Sequence, residues 1–380
     1  MSASIPALPK LPRKGPIAMK ISAAVARQIH GDFTVEQVDL VEPNADEILV
    51  KLVATGICHT DLAIIEQIMP IPLPFVLGHE GAGIVERVGA NVTGFAKGDP
   101  VVLAFSTCGH CDPCTDNHPA YCSHYPLLNF YGRRPDGSAT ITDMAGEAVG
   151  GAFFGQSSFA TWAITSPRNT IKVRADAPLA LLGPLGCGFS TGAGTVMNVL
   201  KPGKKSVLGV FGTGAVGSAA LMAAKAMGVE RIVSIDRVAS RLSLAVELGA
   251  TDTINTAQTD LVTALAAIGG LDFAIDTSGV PALIEAAVGA LKERGTCALL
   301  GASKDNEIKL NILPMISGRV IRGVVNGDCD PAELIPKLVD MVLAGTFPID
   351  KLSAFYSLDQ INQAVADSCS GKTIKPILKF

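Results

Sequence analysis

Ser206–Gly217 reads SVLGVFGTGAVG, an apolar run that ends in the glycine pattern Gly212-x-Gly214-x-x-Gly217. The apolar run predicts a buried strand, and the Ala-rich stretch from Ala215 to Gly228 predicts the helix that follows it. In such a unit the first glycine permits a tight turn, the second lets the backbone approach a pyrophosphate, and the third lets the helix pack closely on the strand. This stretch therefore predicts a strand–turn–helix unit that binds a dinucleotide at the helix N-terminus.

Asp236 ends the next predicted strand, Arg231–Asp236, 24 residues after Gly212. A carboxylate at this place can accept both ribose hydroxyls of NAD and would repel the 2′-phosphate of NADP. Arg237 and Arg241 lie nearby and weaken the prediction of NAD over NADP without reversing it. The alternative is a structural turn with a capping aspartate.

Strands and helices continue to alternate after this unit, which predicts a doubly wound parallel sheet of the Rossmann type. Before residue 188, short β-branched runs separated by glycine and proline predict a strand-rich, barrel-like unit instead. We expect residues 326–380 to return to the first unit, which gives a catalytic domain of 1–188 with 326–380 and a nucleotide-binding domain of 189–325. The predicted elements beyond Asp236 are a helix at 238–249, strands at 251–255, 271–277, 296–301 and 319–325, and a helix at 332–344.

The composition excludes several classes of protein. The chain has 380 residues, of which 48% are hydrophobic and 17% charged, and its net charge of −4 gives no basic surface for nucleic acid. Its apolar stretches, such as Leu179–Leu200, are cut by Gly and Pro well short of a membrane span. Residues 1–16 lack the apolar core of a secretory signal, so we expect a loose tail and a cytoplasmic protein.

Four of the nine cysteines form the pattern Cys108-x-x-Cys111-x-x-Cys114-x7-Cys122. Four thiolates on one loop can surround a tetrahedral zinc ion and leave no position open for a substrate, which predicts a structural zinc site. An iron–sulfur cluster is the alternative use of four cysteines.

A second set of possible ligands is dispersed along the chain: Cys58, His79 and Cys187. A catalytic zinc ion needs three protein ligands and an open fourth position. Asp61 and Glu80 are suited to orient a ligating imidazole from behind. Dispersed Cys and His residues can equally be ordinary buried side chains, and these residues alone do not decide between the two interpretations.

A run of motifs in register resembles the zinc-dependent medium-chain alcohol dehydrogenases. The motifs are Gly78-His79-Glu80-x-x-Gly83-x-Val85 with Val88-Gly89 and Gly98-Asp99-x-Val101, then the cysteine loop, Cys187–Gly192, the glycine pattern and Ser317-Gly318-Arg319. The resemblance covers nearly the whole chain except the N-terminal tail. Three further segments, Pro126–Phe130, Gly132-Arg133-Arg134 and Phe153–Phe159, resemble bacterial aryl-alcohol (benzyl-alcohol) and geraniol dehydrogenases.

The resemblance implies a GroES-like catalytic domain joined to the Rossmann domain, with two zinc ions per chain and NAD. It implies that Cys58, His79 and Cys187 bind the catalytic zinc and that the cysteine loop binds the structural one. Thr60 would accept the alcohol proton and pass it to the nicotinamide ribose, with Asp61 bonded to His79 and Glu80 behind the metal. The cofactor-binding residues implied by the glycine pattern and the resemblance are His59, Thr191, Gly212, Gly214, Val216, Gly217, Asp236, Arg237, Arg241 and Lys375.

The implied substrate pocket is apolar, which favours small apolar alcohols and their aldehydes. Its residues are Met69, Ala104, Leu127, Phe153, Phe154, Ala302 and Val325. Ala104 stands where a bulky aromatic is common, which would widen the pocket toward a ring or a branched chain. Many family members end the proton relay at a histidine that is here Ala63, so the proton must leave by another route.

We therefore expect zinc-dependent, reversible oxidation of primary aromatic or allylic alcohols to aldehydes with NAD. The alternatives are an NAD-dependent dehydrogenase of aliphatic alcohols, polyols or amino alcohols, and a non-catalytic binding protein on the same fold. The resemblance also implies a homotetramer or dimer, with the apolar residues of 306–319 as the joining segment.

Overall fold

The computed structural model describes residues 17–305 and 307–380, so the predicted N-terminal tail and Asn306 lie outside it. Its strands are β1 (Ile17–Ala26), β2 (Phe33–Val41), β3 (Ile48–Gly56), β4 (Phe75–Val76), β5 (Glu80–Val88), β6 (Pro100–Leu103), β7 (Ile141–Thr142), β8 (Ala148–Val149), β9 (Trp162–Thr165), β10 (Thr170–Lys172), β11 (Val207–Phe211), β12 (Arg231–Asp236), β13 (Asp252–Asn255), β14 (Leu271–Asp276), β15 (Leu291–Leu299), β16 (Val320–Gly323), β17 (Ser353–Ser357) and β18 (Lys375–Lys379).

Helices follow the strands most regularly in the second half of the chain. They are α1 (His59–Ile65), α2 (Asp112–Thr115), α3 (Tyr125–Phe130), α4 (Leu179–Leu182), α5 (Gly188–Gly194), α6 (Ala215–Ala226), α7 (Ala239–Leu248), α8 (Leu261–Ile268), α9 (Pro281–Gly289), α10 (Ile312–Ile316), α11 (Pro331–Leu343) and α12 (Ile361–Cys369). Short 3-10 turns include Phe153–Gly155, Gly183–Gly186 and Asn326–Asp328.

The predicted Rossmann sheet is confirmed. Six parallel strands lie in the order β13-β12-β11-β14-β15-β16, and every residue of β11 is buried because helices cover both faces. The strand order reverses between β11 and β14, so the crevice at their carboxyl ends is the place where such sheets bind nucleotides. The largest difference from the predicted strands is in β15, which begins at Leu291, five residues before the expected Thr296. Its first half contains the polar residues 292–295 (Lys-Glu-Arg-Gly), which do not show the apolar pattern of a buried strand. Arg294 in this run has a left-handed φ of 62°.

The strand-rich first part of the chain forms two sheets. The five-stranded sheet has the order β4-β1-β2-β7-β8, and the seven-stranded sheet has the order β10-β6-β5-β3-β18-β17, with β9 also paired to β3. The C-terminal strand β18 pairs with β3, so Ile377 lies opposite Gly56. This pairing is what a catalytic domain of 1–188 with 326–380 requires, although the domain boundaries themselves stay a prediction.

The apolar stretch that contains α4 and α5 is divided at Cys187 into two short helical pieces. Along the part of the chain that the structure describes, no single helix has both the length and the apolar composition to cross a membrane. Leu179–Gly186 and Gly188–Leu200 would pass together by length and composition, and they meet at an angle of 61°.

Close backbone contacts around the glycine pattern depend on the absence of side chains. A Cβ atom on Gly217 would lie 1.9 Å from the carbonyl oxygen of Gly212, and one on Gly192 would lie 2.0 Å from that of Val216. Gly212 itself has a φ of +88°, as expected for the first glycine of the turn. A Cβ atom on Gly214, in contrast, would meet nothing within 4 Å.

Gly217→Ala should therefore lower the free energy of unfolding by about 1 to 3 kcal/mol, because α6 must move away from β11 to make room. Gly214→Ala is the matched control, since its methyl group enters open space in the cofactor-free protein. Thermal unfolding without cofactor measures both variants. Equal melting temperatures for the two would contradict the packing role of the third glycine.

Candidate metal centre and cofactor cleft

The four cysteines of the loop point at one another. The Sγ atoms of Cys108, Cys111, Cys114 and Cys122 all lie within 4.8 Å of one another. The distance is 4.0 Å between the Sγ atoms of Cys108 and Cys114, and 3.8 Å between those of Cys111 and Cys122. A disulfide needs about 2.05 Å, whereas sulfurs bound to a tetrahedral zinc at about 2.3 Å are about 3.8 Å apart. The spacing therefore fits the predicted structural zinc.

Backbone groups of the same loop stabilise thiolates. The N–H groups of Ser123 and Cys111 point at the sulfurs of Cys111 and Cys108, each at 3.4 Å. The hydrogen bond from Ser123 lowers the pKa of Cys111 to about 5. Burial raises the pKa of Cys114 and Cys122 in the same loop, so a bound cation is what would hold all four sulfurs as thiolates.

The three dispersed ligand candidates meet in the fold. Cys58 precedes α1, His79 directly precedes β5, and Cys187 precedes α5. Their ligand atoms and a carboxylate oxygen of Glu80 all lie within 4.8 Å of one another. We call these four residues the catalytic cluster. A hydrogen bond from Cys187 holds the pKa of Cys58 well below its usual value.

Asp61 fixes the orientation of the His79 ring. Its Oδ1 lies 2.8 Å from Nδ1 of His79 and also accepts the N–H of Gly78 at 3.1 Å, while Oδ2 accepts the N–H of Cys58 at 2.9 Å. Nε2 of His79 is buried and has no hydrogen-bond partner in the described ranges 17–305 and 307–380. A buried imidazole nitrogen without a partner, beside two cysteines, fits a metal ligand whose other nitrogen is held by a carboxylate.

Within the catalytic cluster, Glu80 forms a buried ion pair with Lys375. Lys375 Nζ lies 3.0 and 2.9 Å from the two carboxylate oxygens of Glu80 and 3.1 Å from the carbonyl oxygen of Ile57. Gly188 N–H donates to the same carboxylate at 3.2 Å. Burial raises the pKa of Glu80 in spite of the lysine. The resemblance implied that Lys375 binds the cofactor pyrophosphate, whereas in the structure its ammonium contacts three oxygen atoms of the protein.

Asp236 lies at the end of β12 and holds the glycine loop. Oδ2 accepts both the N–H and the hydroxyl of Thr213, at 2.8 and 2.9 Å, and Oδ1 accepts the N–H of Val238 at 2.9 Å. Arg241 approaches Oδ2 at 4.0 Å, whereas Arg237 is exposed. The carboxylate therefore acts as the structural cap that was the alternative interpretation, at the same place where a ribose would meet it.

Three other predicted cofactor residues lie on α1, α5 and α6. Thr191 is on α5 and donates its hydroxyl to the carbonyl oxygen of Cys187 at 2.9 Å, and His59 is exposed at the start of α1. Val216 is on the first turn of α6, where it is partly buried. Because α5 packs on α6, Thr191 lies on the helix next to the glycine turn.

Two of the predicted pocket residues contact the catalytic cluster directly. The ring of Phe154 stacks on His79, with centroids 4.5 Å apart and an interplanar angle of 26°, and Phe153 meets it edge-on at 5.4 Å. Phe154 has a left-handed φ of 51°, which is costly for an aromatic residue and is found where the surroundings impose it. Of the remaining predicted pocket residues, Ala104 is buried, Met69 is partly buried, and Leu127, Ala302 and Val325 are exposed.

Sequence reasoning missed four residues of this region. The rings beside His79 form an aromatic wall, which consists of the predicted Phe153 and Phe154 and, in addition, Phe105, Tyr125 and Phe130. The ring centroids of Tyr125 and Phe130 lie 6.2 and 5.4 Å from that of Phe154. Gln156 is fully buried and donates Nε2 to the carbonyl oxygens of His79 and Ala104 while its Oε1 accepts the N–H of Gly81. The density of aromatic residues between 105 and 159 was the available signal, but the sequence does not show which rings meet.

Comparison with known proteins agrees with this geometry. Residues 44–175 match the alcohol dehydrogenase GroES-like domain, and residues 215–344 match the zinc-binding dehydrogenase family. The chain is 43% identical over 363 residues to geraniol dehydrogenase of Castellaniella defragrans, which covers 94% of this chain and 97% of that protein. Because these relatives are enzymes, the alternative of a non-catalytic binding protein is set aside.

Two crystal structures are similar over the same length. An alcohol dehydrogenase zinc-binding domain protein from Burkholderia ambifaria is 48% identical with a TM-score of 0.93, and benzyl alcohol dehydrogenase from Acinetobacter calcoaceticus is 44% identical with a TM-score of 0.91. Each match covers 95% of this chain and 99% of the other. The chain belongs to the zinc-dependent medium-chain alcohol dehydrogenases, a family of oxidoreductases that use zinc and NAD.

Proposed function

We propose that this enzyme oxidises primary aromatic or allylic alcohols to aldehydes with NAD, and reduces the aldehydes in the reverse direction. The observation that carries the proposal is the aromatic wall built directly onto the catalytic cluster, with Phe154 stacked on His79. Planar, unsaturated groups pack well against such rings. The names of the relatives from Castellaniella and Acinetobacter, a geraniol and a benzyl alcohol dehydrogenase, support the same class of substrate.

In this proposal Cys58, His79 and Cys187 hold one zinc ion, and the loop of four cysteines holds another. When bound in the catalytic cluster, zinc supplies Lewis acidity that lowers the pKa of an alcohol. Asp61 keeps Nε2 of His79 free for the metal by holding Nδ1. The buried pair of Glu80 and Lys375 stands behind the ligands and keeps that side of the cluster closed to water.

Thr60 is the proposed acceptor of the alcohol proton. Its hydroxyl oxygen lies 3.7 Å from the sulfur of Cys58, on the first turn of α1 and therefore beside the catalytic cluster. A hydroxyl in this place can accept a proton from a bound alcohol while it donates its own to the next group. Ala63, one turn further along α1, cannot continue such a relay, so water or the exposed His59 is left to receive the proton.

NAD is proposed to lie across the carboxyl ends of β11 and β14 and to supply the hydride acceptor when bound. Gly212, Gly214, Val216 and Gly217 form the turn under the pyrophosphate, and the free N–H groups of α6 face it. Asp236 meets the adenosine ribose from its place beside Thr213. The remaining proposed contacts are Thr191 to the nicotinamide, Arg241 and Arg237 to the ribose side, and His59 to the pyrophosphate, whereas the ammonium of Lys375 is held by Glu80.

An oligomer, either a tetramer or a dimer, is part of the proposal, as is a cytoplasmic location. Helix α10, which precedes the edge strand β16, carries three exposed apolar side chains. These are Ile312, Leu313 and Ile316, with 74%, 76% and 74% of their surface exposed. Side chains of this kind are rarely left in water as a group unless a partner covers them. The rest of the predicted joining segment, apart from Asn306, lies in the same region.

A substrate panel tests the proposed class of alcohol. Wild-type kcat/KM, followed by NADH absorbance, should be higher for benzyl alcohol and geraniol than for ethanol, and lowest for sorbitol, because the wall offers rings and few polar groups. Thr60→Ala should lower oxidation of benzyl alcohol by about 100-fold or more, while Thr60→Ser keeps the hydroxyl and most of the activity. A preference for sorbitol would favour the polyol alternative instead.

Metal analysis tests the two proposed zinc sites. Purified protein should contain about two zinc ions, as its two ligand sets require. Cys187→Ala should lose one ion and the activity yet keep its melting temperature within a few degrees. Cys111→Ala should lose the other ion and unfold at a lower temperature, because a structural zinc ion joins four positions of this irregular loop and contributes to folding. Iron in place of zinc, or exchanged phenotypes, would show that the two sites are wrongly assigned.

Cofactor preference tests Asp236, whose two roles can be separated. Asp236→Asn removes the charge and keeps one oxygen to accept from Thr213 but loses the acceptor of the Val238 N–H, so it should raise kcat/KM for NADP relative to NAD by roughly tenfold with a smaller loss of stability than Asp236→Gly. Asp236→Gly should relax the preference too, and should also lower stability by about 1 to 3 kcal/mol because the two Thr213 donors lose their acceptor. A wild type that prefers NADP would contradict the assignment.

A further inference from the structure

The segment Asn326–Asp328 connects the last Rossmann strand to the C-terminal part of the catalytic domain in a strained conformation. Its three residues all have left-handed φ angles: 46° for Asn326, 67° for Gly327 and 47° for Asp328. Only the glycine adopts this region without cost, so contacts must hold the other two residues in place. A Cβ atom on Gly327 would lie 2.4 Å from the carbonyl oxygen of Ser190, so the segment is wedged against α5, which begins directly after Cys187.

Side chains from the cysteine loop and the helix after it hold the two strained polar residues. The hydroxyl of Tyr125 accepts the side-chain N–H of Asn326 at 2.8 Å. At the other end, Asp328 contacts Nδ1 of His118 at 2.8 Å and a terminal nitrogen of Arg322 at 2.7 Å. Asn326 is buried, so loss of its partner would leave a buried amide without its hydrogen bond.

Tyr125 also belongs to the aromatic wall. Its ring stands perpendicular to that of Phe154, with centroids 6.2 Å apart, and contacts Phe105 and Phe130 at 5.8 and 6.0 Å. Its backbone is fixed by its own N–H, which donates to Cys122 at 2.8 Å, and by Asn129, which donates to its carbonyl oxygen at 2.9 Å. Burial, followed by the charge of Cys187, raises the pKa of Tyr125, so the phenol stays neutral.

One hydrogen bond thus joins a ring of the wall to the strained segment beside Val325. Val325 is an exposed predicted pocket residue, and its carbonyl oxygen accepts the N–H of Asp328 at 2.9 Å. The backbone conformation of the segment therefore decides where Val325 stands. The bond between Tyr125 and Asn326 fixes both parts at once.

We propose that Tyr125 and Asn326 are a positioning pair that sets the outer wall of the alcohol pocket and so selects alcohols with a ring or an allylic chain. The inference rests on the proposed function and deepens it. An alcohol that extends from the catalytic cluster past Phe154 meets this wall and gains its packing energy. A two-carbon alcohol ends before it reaches the wall and gains nothing from its position.

Steady-state kinetics of single and double variants test the pair. Tyr125→Phe keeps the ring and removes the hydroxyl; Asn326→Gly removes the amide and retains a residue that tolerates a left-handed φ. Each should raise KM for benzyl alcohol by about tenfold with kcat within about twofold, and leave KM for ethanol within about twofold. The double variant should be no worse than the worse single variant, because both remove the same bond.

Tyr121→Phe is the matched control. Tyr121 lies in the cysteine loop, four positions before Tyr125, and its buried hydroxyl has no hydrogen-bond partner within residues 17–305 and 307–380. The kinetics of Tyr121→Phe should therefore be those of the wild type. Equal losses for ethanol and benzyl alcohol would reveal a general structural defect and overturn the proposal. Additive losses in the double variant, or unchanged KM values, would overturn it as well.

Hydrogen exchange tests the same pair without turnover. Peptides that span residues 320–330 should exchange faster in Tyr125→Phe than in the wild type or Tyr121→Phe, because the segment loses its support. Unchanged exchange would overturn the positioning role. If the wild type oxidised none of the alcohols, the proposed function would be wrong. Faster exchange in Tyr125→Phe would even then show that the hydrogen bond between Tyr125 and Asn326 holds the segment in place.

Discussion

The candidate centre depends on one buried carboxylate, Asp61. It accepts two backbone N–H groups and orients the His79 ring, and these contacts join the start of α1 to the start of β5. A carboxylate removed from water is tolerated only if such donors replace the lost hydration. The donors are the N–H groups of Cys58 and Gly78, and Gly78 directly precedes His79. The contacts that solvate the carboxylate of Asp61 therefore also fix the positions of two ligand candidates, Cys58 and His79. The hydrogen bonds that allow Asp61 to be buried are thus the same ones that set the geometry of the ligands.

A second requirement is close approach of backbones around that carboxylate and its neighbours. A Cβ atom on Gly56 would lie 2.0 Å from a carboxylate oxygen of Glu80, and one on Gly78 would lie 2.5 Å from the backbone nitrogen of Phe159. A Cβ atom on Gly186 would lie 1.9 Å from the carbonyl oxygen of Leu103. These contacts bring β3, β5, β6 and the turn before Cys187 near enough for side chains far apart in the chain to share one site. They leave little freedom for the ligand atoms, which is what a metal of fixed geometry needs.

The proposed zinc and cofactor sites lie on either side of the junction between the strand-rich part and the Rossmann sheet. The catalytic cluster belongs to the strand-rich part, whereas α5, which follows Cys187, packs on α6 at the glycine turn of the Rossmann sheet. Asn326–Asp328 returns the chain beside the same helix and is held there from the cysteine loop and α3. A hydride can pass between a substrate and a cofactor only over a short distance, so this packing brings the two proposed binding places together. The aromatic wall around Phe154 then gives one side of this junction its apolar character.

The sequence alone determined the two sheet types, the glycine turn and the four cysteines of the loop, because each is encoded by local periodicity or spacing, whereas the dispersed ligand candidates Cys58, His79 and Cys187 were indicated only through resemblance. It also indicated Phe153 and Phe154 through resemblance. It did not determine that Lys375 is paired with Glu80, that Asp236 is engaged by Thr213, or that Tyr125 meets Asn326 across 201 positions of the chain. Those partners are chosen by burial: a polar group removed from water must find a donor or acceptor nearby, and only the folded chain decides which groups are near.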